Sequence, residues 1–123
     1  MSHSQVPPRL RFHVGFSEQD LYEAQQRGYL SHVLVELGDR RLYPVLFYDI
    51  VRLQQDLEES TKHGRPFIAD PGMVVLPDIS LDAMNQSVQK LYADGFFDHI
   101  VAVTEEDIAG SDPLQWPPKP RQR

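Results

Sequence analysis

Near the start of the chain, apolar and polar residues alternate strictly: Leu10, Phe12, Val14 and Phe16 stand between Arg9, Arg11, His13 and Gly15. A period of two marks a strand with one buried face. The pattern changes at Ser17, whose hydroxyl suits a helix N-cap. Asp20 follows at N3, where a carboxylate complements the helix dipole, and Phe16 and Leu21 are spaced as a hydrophobic staple. A helix over about residues 18–27, closed by Gly28, is predicted. The next apolar run, Tyr29 to Leu37, is rich in Val and Leu and reads as a strand; Gly38-Asp39 turns the chain, and Leu42 to Tyr48 returns it.

The same punctuation recurs twice. Asp49 caps a second helix running to His63, with Ile50, Leu53 and Leu57 at helical spacing and Gly64 closing it. Phe67 to Asp70 and Met73 to Ile79 read as short strands around Pro71-Gly72, a pair suited to a type II turn. Ser80 then caps a third helix, with Leu81, Met84, Val88, Leu91 and Tyr92 on one side and Gly95 at its end, before a last strand, His99 to Val103. Pro44 and Pro77 cannot donate to a ladder, so each marks an edge, a bulge or a strand end.

This rhythm predicts an α/β (α+β) fold in the order β-α-β-β-α-β-β-α-β: a two-layer sandwich with a mixed sheet of about five to six strands and three helices on one face. Right-handed crossovers would lay the helices on the sheet, and hairpins at Gly38-Asp39 and Pro71-Gly72 would join the units. The expected core is Phe12, Val14, Val33, Val35, Leu53, Leu57, Leu81, Met84, Val88, Leu91, Val101 and Val103. Residues 1–8 are expected to be a disordered N-terminus, 9–109 a single domain, and 110–123 a Pro-rich disordered tail. The tail carries one apolar cluster, Leu114 and Trp116, and a PxxP spacing from Pro117 to Pro120.

Charge narrows the function classes. Eighteen acidic against twelve basic residues give a net charge of −6 and an isoelectric point near 5.2, a field that repels nucleic-acid phosphates and anionic lipid. Neither nucleic acid nor a membrane surface is an expected partner. There is no cysteine, which removes thiolate nucleophiles and cysteine-ligated metal. The N-terminal MSHSQVPP has no signal-peptide character and no apolar run approaches a membrane span, so a cytoplasmic location is expected.

No GxGxxG, GxxxxGK[ST] or GxSxG motif is present, so no cofactor is implied and no catalytic residue is assigned. Two candidate surfaces remain. His13, on the polar face of the first strand, would meet His32 and Glu36 of the second if the two strands are neighbours, a set suited to a divalent metal or a small ligand on an open sheet face. Residues four apart on a strand are nevertheless about 13 Å apart, which strains any single-metal site. The second surface is acidic: Asp56, Glu58 and Glu59 on the second helix, and Glu105, Glu106 and Asp107 after the last strand. Complementary charge there would dock a basic protein. The expected function is thus a non-catalytic acidic protein-binding domain, a neutralising inhibitor of the immunity or antitoxin kind. The alternative is a small enzyme or a metal- or small-ligand-binding domain that uses His13, His32 and Glu36 on an open sheet face, and that face is a further surface for homo-oligomers.

Overall fold

The computed structural model describes residues 7–103 and 111–113. Strand β1 (Arg9–His13) realises the alternating pattern but stops three residues short of its apparent end at Phe16. Gly15 takes φ 89°, and the Phe16 amide donates to the His13 carbonyl at 3.1 Å, which turns the chain towards α1 (Glu18–Arg27). Ser17 and Asp20 form the capping box read from the sequence, and Gly28 closes the helix in the left-handed region. Strands β2 (Tyr29–Glu36) and β3 (Leu42–Asp49) form an antiparallel pair joined by a tight loop in which Arg40 takes the positive φ, 71°. Asp49 caps α2 (Ile50–Lys62), which leads to β4 (Met73–Leu76); Ser80 caps α3 (Leu81–Ala93). No helix among the described residues is long and apolar enough to cross a membrane.

Among the described residues the architecture is α+β: three helices and a mixed sheet of four strands in the order β4-β3-β2-β1, with a three-residue segment, β5 (Ser111–Pro113), paired antiparallel to β1. Two expected strands are not formed. Phe67–Asp70 makes no ladder: Pro66 and Pro71 bracket it, and the Phe67 carbonyl accepts from the Ser60 hydroxyl at 3.3 Å. His99–Val103 gives way to a 3-10 turn (Phe96–His99) and a single antiparallel bridge, Val103 to Leu42. Nor is Pro71-Gly72 a hairpin. Helix α2 carries the chain back along the sheet, so β4 re-enters parallel to β3, with Leu46 opposite Met73 and Asp49 opposite Leu76.

The main core lies on one face of the sheet. Leu10 and Phe12 of β1, Val33 and Val35 of β2, and Val45 and Phe47 of β3 meet Leu21 and Ala24 of α1 and Leu81, Met84 and Val88 of α3. Helix α2 takes no part in it and has no buried residue. Its Arg52 lies over the Tyr29 ring, 5.2 Å from the centroid, and Tyr29 in turn packs on Tyr48, which alternates with the inward-facing Val45 and Phe47. The expectation of three helices on one face is therefore corrected: α1 and α3 share the core face, and α2 packs against the other. The expected core changes with it. Val14 and Val101 are 59% and 84% exposed because the strands that would have buried them end early or do not form, Leu57 is exposed, and Leu53, Leu91 and Val103 are half-buried.

The body also extends past its expected limits. Pro8 is buried and its carbonyl accepts from the Gln89 amide at 3.0 Å, while Ser111–Pro113 belongs to the sheet rather than to a free tail. Residues 1–6, 104–110 and 114–123 lie outside the described residues, and with them the remaining expectations about the termini.

Proline and glycine explain one feature of the β3 edge. On β3 the even-numbered backbone groups face β4: the Leu46 amide donates to Gly72 at 2.9 Å, and the Leu42 carbonyl accepts from Val103 at 2.7 Å. Pro44 sits between these two bonds, where its missing N–H leaves no donor unpaired. Gly72 lies so close to the Pro44 carbonyl oxygen that no Cβ fits.

Urea unfolding should separate these roles. Phe12→Ala is expected to lower stability by about 3–5 kcal/mol, whereas Val14→Ser should stay within about 0.5 kcal/mol of the native chain. Gly72→Ala should cost about 1–3 kcal/mol by forcing β3 and the β4 turn apart.

Candidate functional site

The outer face of the sheet carries most of the chemistry-bearing residues, and the ladder register arranges them. Arg9 stands opposite Glu36 and Arg11 opposite Leu34. Both guanidiniums reach Glu36 Oε1, Arg9 at 3.0 Å and Arg11 at 3.5 Å. Arg11 is mostly covered, and its Nε is buried without a hydrogen-bond partner among the described residues. Glu36 is thus committed to holding two cations on the sheet.

This arrangement dissolves the expected set of His13, His32 and Glu36. The β1–β2 ladder carries Glu36 opposite Arg9, at the far end from His32, and a register shift between Leu30 and Val33 puts a bulge at Ser31-His32. His32 itself takes φ 63°, and its Nδ1 lies 3.0 Å from the Ser31 hydroxyl. His13 Nδ1 donates to the Val14 carbonyl at 3.1 Å, with its ring edge-on to Phe16. Among the described residues, no three His, Cys, Asp or Glu side chains converge closely enough to hold a metal ion. The strands are adjacent as supposed, but the spacing along β2 and the bulge keep the donors apart.

The first acidic cluster divides in two. Asp56 is a structural residue: it accepts from Arg52 Nε at 2.9 Å, and Arg52 also donates to the Arg27 carbonyl at 3.2 Å, tying α2 to the end of α1. Burial of the Tyr48 hydroxyl, with the Asp56 carboxylate beside it, pushes Tyr48 up to about 12. Glu58 and Glu59 are exposed, and Glu59 is braced by His63, whose Nδ1 donates to the Glu59 carbonyl at 2.9 Å. Glu105, Glu106 and Asp107 lie outside the described residues.

Two features were not anticipated. The first is the run of exposed apolar side chains on and beside α2: Ile50, Val51 and Leu57, with Phe67 after the helix and Val75 on β4. Of these, the helical spacing places Ile50 and Leu57 on one side of α2 and predicts Leu57 to be core, and nothing in the pattern distinguishes an inward from an outward stripe. The second is a half-open, mainly apolar groove of about 500 Å³ in the notch of the β3 edge. Pro44, Leu46, Pro71, Ile100 and Val101 wall it, with His32, Asp70 and His99 as its ionisable lining. The proline inside β3 was the only trace of it in the sequence.

Comparison with protein-family models, with curated proteins and with solved structures finds no match for this chain.

Two measurements check this geometry. Glu36→Ala removes the acceptor shared by Arg9 and Arg11 and should cost about 1–3 kcal/mol in urea unfolding, because the covered Arg11 loses its partner. In an ultraviolet pH titration of the five tyrosines, one should ionise late, near 12, and Tyr48→Phe should delete that step. Since the folded state raises this group above its ordinary value of 10, its contribution to stability is complete below pH 10 and is lost as pH rises from 10 to about 12.

Proposed function

We propose that this chain is a non-catalytic protein-binding domain that docks a basic partner on the outward side of α2, in the manner of a neutralising inhibitor. One observation carries the reading: α2 buries none of its residues in the core, yet presents Ile50, Val51 and Leu57 to solvent together with Glu58 and Glu59. Several apolar side chains exposed on and beside one helix are costly to leave in water, and Phe67 and Val75 are exposed as well. The flanking carboxylates select the sign of the partner, and the net charge of −6 extends that preference over the approach. Anchoring and steering thus fall to different residues. The apolar side chains supply desolvated contact, and the acids supply rate and orientation.

The division makes the reading testable. Val51 stands in the first turn of α2, where an acid complements the helix dipole, so Val51→Asp keeps the fold while placing a charge in the apolar contact. A basic protein retained by the immobilised native chain should be lost with Val51→Asp. Joint reversal of Glu58 and Glu59 to Lys should instead slow its association about tenfold at low salt and flatten the salt dependence. Retention indifferent to both changes, or a retained partner that is itself acidic, overturns the proposal.

A further inference from the structure

The apolar groove at the β3 edge shares no residue with the α2 surface, and the chain carries a segment suited to fill it. We propose that Trp116, in the segment after β5, docks in the groove formed by Pro44, Leu46, Pro71 and Val101 of the same chain.

Three observations converge. The first is position. The ladder registers place Pro113 opposite Arg11, Arg11 opposite Leu34, and Leu34 opposite Pro44, so the last described residue and the near wall of the groove stand in one row across the outer face. That row is three strand spacings wide, roughly 14 Å. Three residues of extended chain from Pro113 to Trp116 cover roughly 10 Å, and the indole spans the remainder.

The second is chemistry. Leu114 and Trp116 are the only large apolar residues in 114–123, and Pro117-Pro118 follow at once. The groove, at about 500 Å³, offers proline rings and branched aliphatic side chains on which an indole can lie. Burying one aromatic side chain there removes apolar surface from water on both partners.

The third is charge. Residues 114–123 hold Lys119, Arg121 and Arg123 and no acid, whereas among the described residues the groove lining holds Asp70 and neither Lys nor Arg. Tethering does the rest. A short linker gives the tail an effective concentration of about millimolar, so a groove of only millimolar intrinsic affinity is already half filled. A tail seated there closes the groove of its own chain, and any other apolar occupant must displace it.

The test uses the full chain, whose single tryptophan makes its fluorescence a direct reading of this residue. Trp116 is expected to emit at shorter wavelength, and to be quenched less by acrylamide, than in the free peptide spanning residues 114–123. Val101→Arg, alone or with His99→Arg, changes residues already exposed and opposes the basic tail. It should return both readings to the peptide values, with circular dichroism and unfolding midpoint unchanged, while Val101→Ile keeps the native spectrum. Native emission identical to that of the peptide overturns the proposal. So does a blue shift that survives both arginine variants, which would seat the indole elsewhere on the body. A shift that grows with protein concentration also overturns it, because the indole would then fill the groove of a second copy.

Discussion

Strand β3 is buried along its inner face and at both ends of its outer face, and the arrangement of everything around it answers that demand. Tyr43, Val45 and Phe47 point into the core that α1 and α3 close, while Leu42 and Tyr48 point the other way and are equally hidden. A strand in this position needs a partner on each edge and cover on each side. β2 supplies one edge along its whole length. The other edge is divided between β4, beside residues 46–49, and the Val103 bridge at Leu42. The interval between these two partners is where Pro44 is tolerated, where Gly72 must have no side chain, and where the groove opens.

Cover on the outer side of β3 comes from α2, and the nature of that contact governs what the surface has left to offer. The helix is held by polar and aromatic groups: Asp49 accepting from the Arg52 amide at 2.8 Å, Arg52 over Tyr29, and Asp56 beside Tyr48. An apolar stripe would ordinarily perform this task. Because the contact is made by Arg52 and Asp56, Ile50 and Leu57 are left in water. The same economy operates on β1 and β2, where Glu36 is occupied by two arginines and is no longer a free ligand. Glu36 and Asp56, which looked like chemistry in the sequence, hold the fold together, and Leu57, which looked like core, is exposed.

The legibility of the chain follows from the range of the forces involved. Helix ends were readable because capping joins residues three or four apart: Ser17, Asp49 and Ser80 each accept from the amide three residues on, and Gly28 closes α1 in a conformation that side chains disfavour. Strands β2 and β3 and the turn between them were equally local matters of alternation and a tight loop. The buried positions Phe12, Val33, Val35, Met84 and Val88 followed from periodicity, since a half-buried element must repeat its apolar residues.

What the sequence determined by itself was therefore the identity and phase of the elements: α+β, three capped helices, and an acidic body without cysteine. The tertiary structure decided which strands are neighbours, that β4 runs parallel to β3, that α2 crosses the outer face, and that a bulge at His32 separates the histidines from Glu36. These depend on contacts between residues far apart in the chain. An apolar stripe has the same period whichever face it meets, and a carboxylate reads the same whether it awaits a ligand or already holds two arginines. Only the packed chain distinguishes them, because pairing and burial are properties of neighbours that the local pattern does not name.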